Sequence, residues 1–287
     1  MNKKPLCIIF NPAAKGERSK RSLPRLHEAF READFCETSG PGHATELAAS
    51  AADEYDTVIA AGGDGTINEV VNGMAGREAK LGVLPVGSVN VFAMELGLPM
   101  SLDRCIDVIR RGKSRAIDLA KANDRYFVQL AGVGLDAETV RDTAPHFKKS
   151  LGPLSYVMTL SQVASREAPP LEILNGHRDP VMGSFILVGN GRHYGGPFHF
   201  FPQARLDDGQ LDVCVFHKLS HFDLLRYFRG ILTFGTHTRF SDVTYFKTDH
   251  LEVRSTREVP FEVDGEFHGN CPVTFSVLPA ALKVLVP

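Results

Sequence analysis

The stretch Ala60-Ala61-Gly62-Gly63-Asp64-Gly65-Thr66-Ile67-Asn68-Glu69-Val70-Val71-Asn72-Gly73 constrains the fold of this chain more than any other. Before the glycines, residues 57–61 form a short, nearly all-apolar run with β-branched members, the composition of a strand buried on both faces of a parallel sheet. After them, Ile67, Val70, Val71 and Met74 recur at helical spacing and predict one apolar helix face. Gly62, Gly63 and Gly65 free the intervening backbone for conformations closed to other residues and let a ligand approach the main chain. The helix start adds unpaired N–H groups and a partial positive charge. Strand, glycine turn and helix together predict a phosphate cradle.

Asp64 lies in the middle of that cradle. A carboxylate facing phosphate is repulsive unless a divalent cation lies between them, which implies Mg²⁺. The competing reading is an Asx turn or a helix cap, with Thr66 sharing the duty. No Gly-x-x-x-x-Gly-Lys-Ser/Thr sequence occurs, so a nucleotide bound here is held differently from one in a P-loop.

The alternation extends to either side. Residues 6–10 read as a buried strand running into the turn Asn11-Pro12, followed by a helix over 22–31 with Pro24 in its first turn. Residues 35–38 suit a second strand, and His43 opens an alanine-rich helix. Residues 81–86 form another buried strand ending in a second glycine turn, Gly87-Ser88-Val89-Asn90, and a helix over 102–110 closes the unit. This order predicts an α/β nucleotide-binding domain over residues 1–115, a parallel sheet with helices on both faces. Ligands in such sheets sit at the carboxyl ends of the strands, where the loops after Phe10, Ala61 and Val86 converge.

Beyond residue 115 the rhythm changes to extended runs separated by turns, at 116–120, 126–131, 185–188, 211–216, 244–246, 250–254, 259–263, 273–278 and 282–286, with helical patches at 154–163 and 222–234. They predict a mostly antiparallel β domain over 116–287, its last few residues free to return to the first domain. In the second patch Phe222, Leu225, Phe228 and Leu232 form an apolar stripe beside Arg226 and Arg229, suited to packing on the chain's own core or to contact with a bilayer.

Several polar clusters fall in this half. Leu206-Asp207-Asp208-Gly209-Gln210-Leu211-Asp212 gathers three carboxylates around a glycine, as either a hairpin turn or a cation site does. Val263-Asp264-Gly265-Glu266 is a plain Asp-Gly hairpin or a pair of carboxylates presented at a strand end. Gly132-Val133-Gly134 superficially suggests a dinucleotide fingerprint, but no acidic residue ends a partnering strand about 20 residues on. His217 and His221 have metal-ligand spacing without a third ligand.

A length of 287 residues suffices for about two domains with their own cores. The net charge of −2 gives no global reason to bind nucleic acid, so any contact with an anionic surface must come from a local patch. Five scattered cysteines without a Cys-x-x-Cys pair fit a reducing cytosol. The first twelve residues are too poor in apolar side chains for a signal peptide.

Taken in order, Asn11-Pro12, Gly62 to Thr66, Gly87-Ser88-Val89-Asn90, Gly134-Leu135-Asp136-Ala137, Gly189-Asn190 with Tyr194-Gly195-Gly196, Asp207 to Asp212 and Val263 to Glu266 resemble the diacylglycerol kinase catalytic family over essentially the whole chain. The resemblance is narrowest to its soluble bacterial lipid kinases, in a superfamily that also holds sphingosine kinases and NAD kinases. It implies an ATP- and Mg²⁺-dependent kinase acting on the hydroxyl of a lipid such as diacylglycerol, in a cleft between domains. It implies a nucleotide held by Asn11, Pro12, Gly62, Gly63, Asp64, Gly65, Thr66, Gly87, Ser88 and Asn90, with Thr38 and His43 nearby. Asp264 is implied as general base and Glu266 as support for it or for the metal. Asp208, with neighbouring backbone carbonyls such as that of Leu211, is implied as a structural Mg²⁺ site.

The family commonly reads Gly-Thr-x-Asn-Asp at the second glycine turn. Ser88 keeps the hydroxyl, whereas Val91 removes a carboxylate expected near the nucleotide or its metal. The alternatives are an NAD kinase-like enzyme, which shares the Gly-Gly-Asp-Gly turn, and a non-catalytic nucleotide-binding module, which Val91 suggests and Asp64, Asp264 and Glu266 oppose. The expected partners are a lipid substrate and, peripherally, a membrane, with a homodimer allowed for. The expected location is the cytoplasm, with transient membrane association.

Overall fold

The structure is a computed structural model and describes residues 3–14, 17–142, 169–176 and 179–287. The helical patch expected at 154–163 lies outside the described residues.

The first half is β1 (Lys4–Phe10), α1 (Glu17–Ala29), β2 (Asp34–Glu37), α2 (His43–Glu54), β3 (Tyr55–Gly62), α3 (Asp64–Met74), β4 (Lys80–Pro85), α4 (Val91–Glu95) and α5 (Leu102–Arg111). The strands pair in parallel in the order β2-β1-β3-β4. The order reverses at β1, and right-handed crossovers then put α1 on one face of the sheet and α2 and α3 on the other. Helix α1 starts earlier than the 22–31 expected from sequence, so Pro24 falls inside it and not in its first turn. Cys7, Ile8, Ile9, Val58, Ile59, Leu81 and Leu84 are fully buried, which is why these strands lack polar alternation.

The second half comprises β5 (Ser114–Ala122), β6 (Arg125–Phe127), β7 (Leu130–Val133), α6 (Leu135–Asp142), β8 (Leu171–Leu174), β9 (Val181–Gly183), β10 (Phe185–Gly189), β11 (His193–Tyr194), β12 (Phe198–His199), β13 (Leu211–Phe216), α7 (His221–Leu232), a 3₁₀ turn at Thr236–Arg239, β14 (Val243–Thr248), β15 (His250–Ser255), β16 (Pro260–Val263), β17 (Glu266–Asn270) and β18 (Val273–Leu285). One antiparallel sheet runs β14-β13-β10-β7-β16-β17. The other continues the parallel sheet: β18 pairs in parallel with β4, Lys283 opposite Lys80, and antiparallel with β5 and β15. Ala131, Val133, Ile186, Val188, Val213, Leu251, Val253 and Phe275 fill the core between the two sheets, as in a β-sandwich.

Two sequence runs are segmented differently from expectation. Residues 126–131 are not one strand: β6 ends at Phe127 and β7 begins at Leu130 in the other sheet, because the intervening N–H groups bond to a side chain described below. Residues 273–278 and 282–286 are instead one long strand, kinked between Leu278 and Leu282. Among the described residues no helix is long and apolar enough to cross a membrane.

Candidate active site

Three loops meet at the carboxyl ends of β1, β3 and β4. Asn11 N donates to Ala61 O at 3.1 Å and Asn11 Nδ2 to the Thr66 hydroxyl at 2.8 Å, latching the first loop to the first glycine turn. The two glycine turns touch main chain to main chain: a Cβ on Gly87 would lie 2.4 Å from Gly63 Cα. Asn90, at φ 59°, closes the second turn by accepting from Gly87 N at 3.0 Å and donating to Gly87 O at 3.2 Å. The loops enclose a pocket of about 560 Å³ whose lining includes Asn11, Pro12, Thr38, Gly63, Asp64, Gly65, Thr66, Gly87, Ser88 and Glu266. Gly62 and Asn90 are buried supports of that wall. His43 stands aside, its Nδ1 bonded to Ser39.

Two carboxylates of α3 cap neighbouring helices instead of their own. Asp64 accepts from Asn90 N at 3.0 Å and Phe92 N at 3.4 Å, at the start of α4. Glu69 accepts from Gly42 N at 2.9 Å and Ala44 N at 3.1 Å, at the start of α2. Neither helix receives a side-chain cap from its own N-cap residue, so these bonds satisfy otherwise orphaned donors. The start of α2 is therefore filled by Glu69. Asp64 still has lone pairs to offer the pocket, and burial raises its pKa against the lowering effect of the N–H groups.

Beyond Asp64 lies a second pocket of about 460 Å³, walled by Val89, Val91, Phe92, Val128, Tyr194, Phe198 and Phe228, with Asp64 and Asp264 among its lining residues. Val91, where the family commonly has a carboxylate, is buried and faces this apolar space. Asp64 and Val89 line both pockets.

The turn between β16 and β17 holds the remaining carboxylates. Asp264 and Gly265 both take positive φ, 48° and 84°, as a tight type I′ hairpin requires. The stretch is thus a hairpin and a presented pair of carboxylates at once. Asp264 Oδ2 accepts from Asn68 Nδ2 at 2.6 Å and Val128 N at 3.0 Å; Oδ1 accepts from Gln129 N at 3.0 Å and Leu130 N at 3.1 Å. These main-chain donors are the ones that break the run between β6 and β7. Burial outweighs the four bonds and pushes Asp264 up to about 6. Glu266 is exposed and faces the loop-lined pocket.

Sequence reading missed the scaffold under this turn. Asn68 Oδ1 accepts from Arg125 at 2.9 Å and from Asn72 at 3.1 Å, and Asn72 exchanges two bonds with the Tyr126 main chain. The signal was present: Asp64, Asn68 and Asn72 repeat at i, i+4 and i+8, a polar stripe on a helix otherwise read for its apolar face. Buried Glu262 accepts from Gly265 N at 2.6 Å and bonds to Asp136, which with burial holds its carboxyl well above the usual range. Tyr194 donates to Asp136 at 3.3 Å.

Asp208 and Leu211 lie away from both pockets. Asp208 Oδ2 is 2.7 Å from Lys247 Nζ, which also stands 3.3 Å from Asp212 and 3.0 Å from Gln203 O. The ammonium occupies the place between these carboxylates, so the side chains as they stand do not fit a dication there. Leu211 is the first residue of β13, opposite Thr248, and the stretch before it is a turn entering that strand, not a hairpin. His217 Nε2 bonds to the Thr244 hydroxyl at 2.7 Å. No group of three or more His, Cys, Asp or Glu suited to a metal occurs among the described residues.

Comparison with known proteins agrees with this architecture. Residues 5–122 match the family model described as the diacylglycerol kinase catalytic domain, and residues 129–286 match the YegS C-terminal NAD kinase beta sandwich-like domain. Diacylglycerol kinases of Staphylococcus aureus, strains bovine RF122 / ET3-1 and MRSA252, are each 34% identical over 289 residues, covering 98% of this chain and 91% of the relative. A Bacillus anthracis str. Sterne crystal structure, provisionally named a diacylglycerol kinase, superposes with a TM-score of 0.83 at 27% identity, covering 100% of this chain and 97% of that one. Fold and site define a lipid kinase-like phosphotransferase. The chain belongs to the diacylglycerol kinase catalytic-domain family.

Proposed function

We propose that the protein transfers the γ-phosphoryl group of Mg²⁺·ATP to the hydroxyl of diacylglycerol or a similar membrane lipid. The observation that carries the reading is the meeting of a loop-lined polar pocket and an apolar pocket at Asp64, with Asp264 facing the apolar side and Glu266 the polar side of one turn. The glycine turns suit the nucleotide phosphates, and the apolar walls suit acyl chains.

Phosphoryl transfer asks chiefly for positioning, charge neutralisation and a proton acceptor. Asp264 takes the proton from the lipid hydroxyl as its oxygen bonds to the γ-phosphorus and ADP leaves from the opposite side. Asn68 and the main chain of Val128 to Leu130 fix the orientation of the accepting carboxylate. Glu69 being tied to α2, Asp64 and Glu266 are the carboxylates left facing the cradle to hold the metal, and in a space shaped for an anion two such groups fit a cation. When bound, Mg²⁺ neutralises phosphate charge. An NAD kinase-like reading fares worse, because a second nucleotide needs polar partners that the apolar walls do not supply. Five free cysteines, with Cys7 and Cys36 unbonded at 3.7 Å between sulfurs, accord with action in a reducing cytoplasm.

The test is transfer of radiolabelled phosphate from ATP to a panel of diacylglycerol, monoacylglycerol, ceramide, sphingosine and phosphatidylglycerol, with NAD as control. Labelled lipid that depends on Mg²⁺ supports the reading. Label appearing only on NAD would sink it.

A further inference from the structure

We infer that the outer face of α7, continued by Phe234, is the surface by which this protein sits on an anionic bilayer; the inference rests on the lipid-kinase reading above. The helix buries Tyr227, Gly230 and Ile231 against the body of the protein. Its opposite face is left open: Phe222 is 74% exposed, Leu225 66% and Leu232 48%, and Phe234 beyond its end is 81% exposed. The stripe expected to pack on the core or meet a bilayer is therefore not used by the core. A contiguous exposed patch of this kind marks an interaction site.

Position and charge select the occupant. Phe228 belongs to the stripe and also lines the apolar pocket, opposite Phe198 at 6.5 Å between ring centroids. Phe228 thus joins the exposed stripe to the pocket that Asp64 and Asp264 also line, where an acyl chain leaving a membrane would enter. Residues 217–240 carry four Lys or Arg and one Asp in a chain of net charge −2. Asp223 and the nearby Asp242 are both answered by Arg226, so exposed Lys218, Arg229 and Arg239 give the patch its sign. An apolar helix face bordered by cations is the pattern of an interfacial helix on anionic lipid.

The experiment is flotation of the full chain with vesicles of equimolar phosphatidylcholine and phosphatidylglycerol, beside activity on vesicle-borne and on short-chain, monomeric diacylglycerol. The double variant Phe222→Glu/Leu225→Glu touches neither pocket, and it should lose at least about tenfold in vesicle binding, with a parallel loss on vesicle-borne substrate only. Arg229→Glu should weaken binding several-fold, about fivefold per charge removed, and lose the preference for phosphatidylglycerol. Wild-type binding to vesicles retained by both variants overturns the inference. So does a concentration-dependent dimer that the double variant abolishes while vesicle binding persists, which would assign the face to a second copy. Absence of activity on monomeric lipid in every protein would instead count against the kinase reading, and vesicle binding would then be judged by itself.

Discussion

Asn68 Nδ2 donates to Asp264 Oδ2 at 2.6 Å, joining two residues 196 positions apart in the chain. The bond ties the helix that follows the glycine-turn cradle to the hairpin carrying the proposed base, so the cradle and that carboxylate are held by one network. Asn68→Ala removes this donor and takes its acceptor from the Arg125 guanidinium, while Asn72 keeps its bonds to the Tyr126 main chain. A loss of roughly 1–3 kcal/mol in stability is expected, the scale for buried groups left unpaired. The KM for ATP should stay near wild type while kcat falls, because the cradle remains and the base is displaced. Unchanged kcat in a variant with lowered Tm would remove Asn68 from the positioning of Asp264.

A base with pKa about 6 works in its deprotonated form. The rate should be flat at neutral pH and fall about tenfold per unit as pH drops below that value. Asp264→Asn should abolish this limb and lower kcat by roughly 10²- to 10⁴-fold. It also turns an amide NH₂ toward main-chain N–H donors, so its Tm should fall, a cost that Glu266→Gln, on an exposed side chain, should not share. Should Glu266→Gln erase the acid limb while Asp264→Asn keeps it, the base is Glu266.

The parallel strands, glycine turns and helix faces were legible in the sequence because period and turn chemistry are local properties. Asp64 shows where locality stops. Its spacing allowed a cap or a metal-facing carboxylate, and only the approach of β4 to β3 reveals that it caps a helix beginning some 26 positions later. The break at Val128 and Gln129 was hidden for the same reason, since the acceptor of their N–H groups lies in a distant hairpin turn. Lys247, which answers Asp208, was silent in sequence because it comes from the neighbouring strand of the sheet.

Val91→Asp restores the carboxylate common in the family, and the structure decides between the two outcomes open from sequence. Val91 is 8% exposed and faces the apolar pocket, so the new charge meets apolar walls without a partner. Stability should drop by roughly 1–3 kcal/mol, seen as a lowered Tm, with no fall in the Mg²⁺ concentration giving half-maximal activity. A Mg²⁺ requirement that falls at normal Tm would show that the position faces the metal.

Glu262 lies beneath the Asp264-Gly265 turn, and its burial and its bond to Asp136 keep the carboxyl protonated above its ordinary 4.5. The folded protein therefore binds a proton that the unfolded chain releases between that value and the raised one. Stability should accordingly be full below the ordinary value and decline as pH rises through the window. Glu262→Gln keeps an oxygen for Gly265 N–H and a donor for Asp136 but cannot ionise. Its Tm at acid pH should match wild type within about 0.5 kcal/mol of stability, and its Tm should fall less steeply with rising pH. Glu262→Ala instead removes the bond from Gly265 N–H to the carboxyl, so a loss of roughly 0.5–1.5 kcal/mol at every pH is expected, together with a lower kcat as the turn loosens under Asp264. Parallel Tm-against-pH curves for wild type and Glu262→Gln would show that this carboxyl is ionised in the folded protein, and the account of a protonated Glu262 beneath the turn would fail.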